Sequence, residues 1–285
     1  MLLLSIVFFS SCFSVTSALP YNDTLARQMA KIAAAAYAPN HDACLRQHFR
    51  NFEVLFTYEV ECDSTQETTC GAYLAAFHSE QVIAVVFRGT ISRVQMFEEV
   101  YSGFADKKNF MNLGKINLYF HNAYFAIWNH GMKKRVHEVL RTYPKYDVYV
   151  TGHSLGAALS SLASLELEYE GALRGRTVFH YNFGEPRVGD MNYALQHTEY
   201  LPEFYRVTHA HDFVSDEFPQ ILGYFHHSTQ VWYNNEMGKG APYVQCAADY
   251  DPNCWDGERL SMVDHRMYFG INIPHWYDTN CTNAK

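Results

Sequence analysis

The segment Gly152-His153-Ser154-Leu155-Gly156 is the part of this chain best suited to chemistry. A serine with glycines two residues to either side fits a sharp turn from a strand into a helix. The glycines remove Cβ atoms that would clash in the turn, and the strained backbone leaves the hydroxyl exposed above a sheet. The N-terminus of the following helix directs backbone N–H groups and a partial positive charge at a developing oxyanion. A serine hydroxyl is a poor nucleophile at neutral pH, so it needs a base, and the base needs an orienting carboxylate. With such an elbow the chain order is serine, acid, histidine. Asp212 is the candidate acid, because it follows an expected strand, Tyr205 to Thr208, and catalytic groups collect at strand C-termini. Asp216 and Glu217 lie further into the loop, next to Pro219, and read as solvated charges. The base is open among His209, His211, His226, His227, His265 and His275. His209 and His211 are too near Asp212 in sequence to partner it easily. His265 lies late in the chain, before an aromatic cluster. Spacing alone does not choose among them.

The elements that must position these groups alternate between strand and helix. Helices are predicted over Arg27 to Ala36, Tyr124 to Tyr143 and Leu155 to Tyr169, the second from the helical spacing of Met132, Val136, Val139, Leu140 and Tyr143. Strands are predicted over Val54 to Tyr58, Tyr73 to Phe77, Gln81 to Phe87, Asp147 to Thr151, Val178 to Asn182, Tyr205 to Thr208 and Thr229 to Tyr233. The continuous apolar run ending at Phe87 marks a strand buried on both faces. This alternation indicates an α/β fold with a mostly parallel central sheet and flanking helices. No repeat or Pro- or Gly-rich linker divides the chain, so one domain over residues 19–285 is the simplest organisation.

Composition excludes several classes. Hydrophobic residues at 48% and charged residues at 18% exclude a disordered chain or low-complexity fibre. The formal net charge of −8, without a cluster of Lys and Arg, argues against a nucleic-acid or anionic-membrane partner. Residues 1–18 carry no charged side chain, and their apolar run gives way to serines before Thr16-Ser17-Ala18. They read as a secretory signal peptide, too short and serine-rich for a membrane span, although the usual basic residue at its start is missing. Extracellular location makes the cysteines after the signal candidates for disulfides. Spacing favours Cys62–Cys70 and Cys246–Cys254 as local loops and leaves Cys44–Cys281 to join the two ends. Asn22-Asp23-Thr24 and Asn280-Cys281-Thr282 are glycosylation sequons. No HExxH or paired CxxC spacing calls for a metal, and the expected chemistry needs no cofactor.

Several segments together resemble the class 3 lipases, the secreted fungal-type triacylglycerol lipases of the α/β-hydrolase fold. The matching pieces, in the family's order, are Val86-Phe87-Arg88-Gly89-Thr90, Thr151 to Gly156, Phe183-Gly184-Glu185-Pro186-Arg187-Val188-Gly189-Asp190, Asp212-Phe213-Val214, and Asp264-His265 with Tyr268 to Asn272. The resemblance implies Ser154 as nucleophile, Asp212 as acid and His265 as base. It implies an oxyanion hole from Thr90 and the N–H of Leu155, and it gives His227 to a family histidine that is not the base. The Phe183 to Arg187 segment receives no catalytic role and reads as a turn after a strand. The family often has Pro where this chain has Ser215.

The segment after Thr90 corresponds to a short helical lid. Val94, Phe97, Val100 and Tyr101 fit one apolar helical face, with Glu98 and Glu99 beside it and Met96 where the family commonly has Trp. Such a face is expected to cover the acyl site in water and turn toward lipid at an oil–water interface. The expected protein is therefore a secreted, monomeric serine esterase that hydrolyses acylglycerol ester bonds. A phospholipase or feruloyl-type esterase on the same scaffold is the nearest alternative. A non-catalytic secreted binding protein is the remote one, since such chains usually lose a triad residue.

Overall fold

The computed structural model describes residues 20–62, 69–90, 106–216, 220–247, 249, 251–254 and 260–282. Its centre is an eight-stranded sheet of order β1-β2-β3-β6-β7-β8-β9-β10. The strands are β1 (Phe52–Glu61), β2 (Thr69–Phe77), β3 (Val82–Phe87), β6 (Asp147–His153), β7 (Val178–Phe183), β8 (Phe204–His209), β9 (Gln230–Tyr233) and β10 (Val244–Cys246). Pairing is parallel from β3 through β6, β7 and β8 to β9. It is antiparallel at both margins, where β1–β2–β3 and β9–β10 are joined by short connections. Two small antiparallel ribbons lie outside this sheet: β4 (Lys107–Asn109) with β5 (Lys115–Asn117), and β11 (Met267–Tyr268) with β12 (Ile271–Asn272).

Alternation along the strands feeds two cores. In β3, Ile83, Val85 and Phe87 face a cluster with the helices Leu118–Ile127, Lys133–Thr142 and Leu155–Tyr169. Val82, Ala84 and Val86 face the opposite cluster, with the helix Asp23–Ala35 and the C-terminal turn Ile273–Thr279. Every residue of β3 is buried, which is why its sequence is apolar without alternation. The Ala-rich helix Asp23–Ala35 lets the chain lie close against the sheet, and Asn22 caps it by accepting from the Leu25 N–H at 3.0 Å.

The helix expected over Tyr124 to Tyr143 starts earlier, at Leu118, and is broken at His130 and Gly131. Gly131 takes φ +104°, open to glycine without a Cβ penalty, and the break turns the second helical piece onto the core. The periodic residues lie on that second piece, where Val136, Val139 and Leu140 are buried. A buried carboxylate, Glu166, ties the parts together by accepting from Tyr124 Oη, Trp128 Nε1 and Lys133 Nζ at 2.9, 2.9 and 2.7 Å. The helix Met191–Tyr200 has no counterpart in the sequence-based expectations; its apolar positions are few, and Met191 and Leu195 are exposed. The bonded cysteine pairs are Cys44–Cys281, Cys62–Cys70 and Cys246–Cys254. Among the described residues no helix is long and apolar enough to cross a membrane.

Candidate active site

Ser154 stands between β6 and the helix Leu155–Tyr169, with φ +59° and ψ −128°. That left-sided conformation costs a non-glycine residue roughly 1–3 kcal/mol and persists only where the surroundings hold it. The two flanking glycines are what permit it. A Cβ on Gly152 would lie 2.1 Å from the Gly156 carbonyl oxygen, and one on Gly156 would lie 2.3 Å from the Phe87 carbonyl oxygen. The Ser154 N–H donates to the Phe183 carbonyl at 3.0 Å, which fixes the turn to the neighbouring strand end.

His265 lies on the short helix Met262–Arg266, and Asp212 follows β8. His265 Nε2 is 2.9 Å from Ser154 Oγ, and His265 Nδ1 is 2.9 Å from Asp212 Oδ1. An ionised carboxylate only accepts, so Nδ1 carries the proton and Nε2 presents its lone pair to the serine hydroxyl. The three side chains are almost wholly buried. Asp212 Oδ1 also accepts from the Val214 and Ser215 N–H groups at 2.9 and 3.3 Å, and Oδ2 accepts from Tyr268 Oη at 2.5 Å. Burial pushes the Asp212 carboxyl up, but the His265 charge and the hydrogen bonds from His265 and Tyr268 outweigh it and hold it below the usual carboxylate range.

The rival histidines are engaged elsewhere. His209 Nδ1 meets the Asp264 carbonyl at 3.2 Å, and His211 faces the Asp264 carboxylate. His226 Nε2 meets the Ser215 carbonyl at 2.8 Å, His227 Nε2 meets Glu185 at 2.7 Å, and His275 meets Asp278 at the surface. The loop carrying Ser215 in place of the family's Pro uses the freed N–H to hold Asp212.

Thr90 sits just beyond β3. Its Oγ1 is buried and has no hydrogen-bond partner among the described residues. A buried hydroxyl left unpaired costs about 1–3 kcal/mol, a cost that an incoming oxyanion would relieve. Leu155 is the first helical residue, so its N–H has no acceptor within the helix. The approach to Thr90 is anchored by Arg88, whose guanidinium donates to Glu59 at 2.9 and 3.0 Å and to the Thr69 carbonyl at 2.8 Å. Val94, Phe97, Val100 and Tyr101, assigned to a lid from sequence, lie outside the described residues.

Two contributors escaped the sequence reading. Tyr268 supports the acid; the sequence marked it only as part of an aromatic cluster and of the family-like segment after His265, with no role attached. Gly184, read simply as part of a turn, packs against the acid–base pair. It takes φ +58°, and a Cβ there would lie 2.7 Å from both Asp212 Oδ2 and His265 Nδ1. Beside it, Glu185 is buried and accepts from Asn182 Nδ2 at 2.9 Å while facing His227. Burial pushes its carboxyl up to about 8, despite the lowering effect of Asn182, Arg206 and Ser161.

A family model described as Lipase (class 3) matches residues 84–221. A Caenorhabditis elegans lipase is 29% identical, with 92% of this chain and 83% of the relative covered. A Rhizopus niveus lipase is 30% identical over 70% of this chain and 51% of the relative. This chain belongs to the class 3 lipase family. It spans most of the nematode lipase but about half the length of the Rhizopus relative. Among solved structures, the lipase of Rhizopus microsporus var. chinensis superposes with a TM-score of 0.76 at 24% identity, covering 91% of this chain and 89% of the other. Lipase II of Rhizopus niveus gives a TM-score of 0.74 at 23% identity, covering 88% and 95%. These similarities give the chain an α/β-hydrolase fold, in which Ser154 after β6 and Asp212 after β8 occupy the C-terminal edge of the parallel strands.

Proposed function

We propose that the protein is a secreted triacylglycerol lipase in which Ser154 is the nucleophile, His265 the general base and Asp212 the orienting acid. The observation that carries the reading is the chain Ser154 Oγ–His265 Nε2 and His265 Nδ1–Asp212 Oδ1, each link 2.9 Å long, on a strained strand-to-helix turn. Relatives named as lipases support the substrate class.

His265 Nε2 takes the Ser154 proton as Oγ attacks the ester carbonyl carbon. The carbonyl oxygen becomes an oxyanion that accepts from the Leu155 N–H and from Thr90. His265, now charged, is stabilised by Asp212 and passes the proton to the departing alcohol. Water then attacks the acyl-serine, with the same base removing its proton, and the fatty acid leaves. Removing one oxyanion donor from such a site costs about 2.7–4 kcal/mol, so Thr90 and Leu155 carry a substantial share of the barrier reduction.

The apolar pattern of residues 94–101 supports an oil–water interface as the place of action, with the enzyme as a monomer. The uncharged, serine-diluted start of the chain supports secretion, and the paired cysteines suit an oxidising compartment. Asn22 and Asn280 are exposed, which suits glycan attachment; Asn22 uses Oδ1 for its cap and leaves Nδ2 as the attachment atom.

The test compares wild type with Ser154→Ala on emulsified trioleoylglycerol, a soluble short-chain ester and a phospholipid. Loss of a triad serine lowers kcat by about 10⁶, so the expected result is triacylglycerol hydrolysis in the wild type alone. Serine-dependent activity restricted to phospholipid or soluble ester would overturn the substrate assignment.

A further inference from the structure

A second line of hydrogen bonds runs behind the Ser154–His265–Asp212 chain and uses groups with no part in it so far. Tyr37 Oη is 2.8 Å from His153 Nδ1, and His153 Nε2 is 2.7 Å from the carbonyl oxygen of His265. Gly89 lies one residue before Thr90 and packs against the Tyr37 hydroxyl. Gly89 and Tyr37 are in such close contact that a Cβ on Gly89 would fall 2.1 Å from Tyr37 Oη. The His153 and His265 rings are 4.7 Å apart between centroids and inclined by 31°. Tyr37 and His153 are both buried.

The donors and acceptors in this line can be assigned without ambiguity. A carbonyl oxygen only accepts, so His153 Nε2 carries a hydrogen. In a neutral ring Nδ1 is then the acceptor, and Tyr37 O–H must donate to it. Each link polarises the next in the same sense, which strengthens the chain in a low-dielectric interior. Burial keeps the ring neutral by lowering the His153 pKa to about 3, so no second positive charge develops beside His265 during attack.

We propose that Tyr37 and His153 are a positioning pair that couples the oxyanion strand to the catalytic base, through the packing of Gly89 on the Tyr37 hydroxyl, the Tyr37 O–H to His153 Nδ1 bond and the His153 Nε2–H to His265 carbonyl bond. Asp212 orients the His265 ring from one side. His153 fixes the backbone from which that ring projects, and Tyr37 holds the His153 ring in the orientation from which Nε2–H reaches the carbonyl. Removing the Tyr37 hydroxyl leaves buried His153 Nδ1 without its donor and loosens the ring orientation from which Nε2–H reaches the His265 carbonyl. The proposal rests on reading His265 as the base.

The experiment measures kcat and KM on a soluble short-chain aryl ester for wild type, Tyr37→Phe, His153→Gln and His153→Leu. Concentrations are normalised by active-site titration with an organophosphate, and folding is followed by thermal melting. Tyr37→Phe should lower kcat about tenfold with KM changed by less than about twofold, because ring placement matters in the transition state and little in ground-state binding. His153→Leu should lose roughly a hundredfold, and His153→Gln, which restores an N–H donor toward the His265 carbonyl, should recover about tenfold of that loss. Wild-type kcat in Tyr37→Phe, or a Gln variant no better than Leu at equal folded fraction, would overturn the positioning role. If organophosphate fails to label Ser154 in the wild type, the base assignment itself falls. Labelled wild type with unaltered Tyr37→Phe refutes the positioning pair alone.

Discussion

Replacing Gly184 with alanine adds one methyl group where the structure leaves no room for it. The new Cβ would sit 2.7 Å from Asp212 Oδ2 and 2.7 Å from His265 Nδ1, when ordinary contact needs about 3.4 Å. The side chains it meets cannot move without changing the site. Asp212 is held by Tyr268 Oη and the N–H groups of Val214 and Ser215, and His265 is held between Asp212 and Ser154. Relief therefore comes from lengthening the Asp212–His265 bond or from swinging the imidazole away from Ser154 Oγ. The left-handed backbone at φ +58° adds a cost of roughly 1–2 kcal/mol for any residue with a Cβ. That cost lowers stability modestly, and the displaced dyad lowers rate steeply. Uncoupling an acid from its histidine costs a triad about 10⁴ in kcat, so a partial displacement should cost about 10²- to 10³-fold. The assay is kcat on a soluble short-chain ester for Gly184→Ala, with circular dichroism and a thermal melt to verify that the protein is folded. A folded Gly184→Ala enzyme with kcat within threefold of wild type, roughly 0.7 kcal/mol in barrier, would refute the claim that this contact governs the dyad.

Other perturbations test neighbouring parts of the account. Thr90→Val keeps the shape and backbone donor but removes the unpaired hydroxyl; kcat should fall about 10- to 100-fold with KM little changed, while stability holds or rises because a buried unsatisfied group is gone. Tyr268→Phe removes the donor to Asp212 Oδ2, worth about 1.5–3 kcal/mol as a bond to a charged group. Since the folded-state pKa of Asp212 is depressed, its stabilisation is present above the unfolded value and is lost as pH falls through the folded one. The variant should therefore begin acid unfolding at higher pH than wild type, as seen by circular dichroism across an acid titration. Glu185 has the opposite sign: its folded pKa is raised to about 8, so its contribution to stability declines as pH rises from the usual carboxyl range toward 8. Glu185→Gln should melt above wild type by a margin that widens over that window. Replacing both Cys44 and Cys281 with serine should lower stability by about 2–5 kcal/mol, because their bond closes a loop with a sequence separation of 237.

The parts legible in sequence were those fixed by local chemistry. The glycines around Ser154 announce the elbow because only their missing Cβ atoms permit it, and the apolar run of β3 announces a strand buried on both faces. The triad partners were less legible. Asp212 could be chosen by its place after β8, but the base could not be separated from other histidines by spacing, since the contact of His265 with Ser154 joins residues far apart in the chain. Resemblance to the lipase family made that choice. Tyr268, Gly184 and His153 lie in segments that resemble the family and Tyr37 does not, but all four act through tertiary contacts, so no local pattern reveals their roles. The helix Met191–Tyr200 went unread because its apolar residues do not follow a clear stripe, and the helix break at Gly131 hid inside an otherwise helical periodicity.

The central claim is that His265 and Asp212 make Ser154 an activated nucleophile, and covalent trapping tests it most directly. Wild type, Ser154→Ala and His265→Ala would be treated with a diethyl aryl phosphate, and the label located by peptide mass mapping. The account predicts one diethylphosphoryl group on Ser154 in the wild type, none in Ser154→Ala and greatly slowed labelling in His265→Ala. No label on the wild-type serine, or equal labelling rates with and without the His265 imidazole, would contradict it.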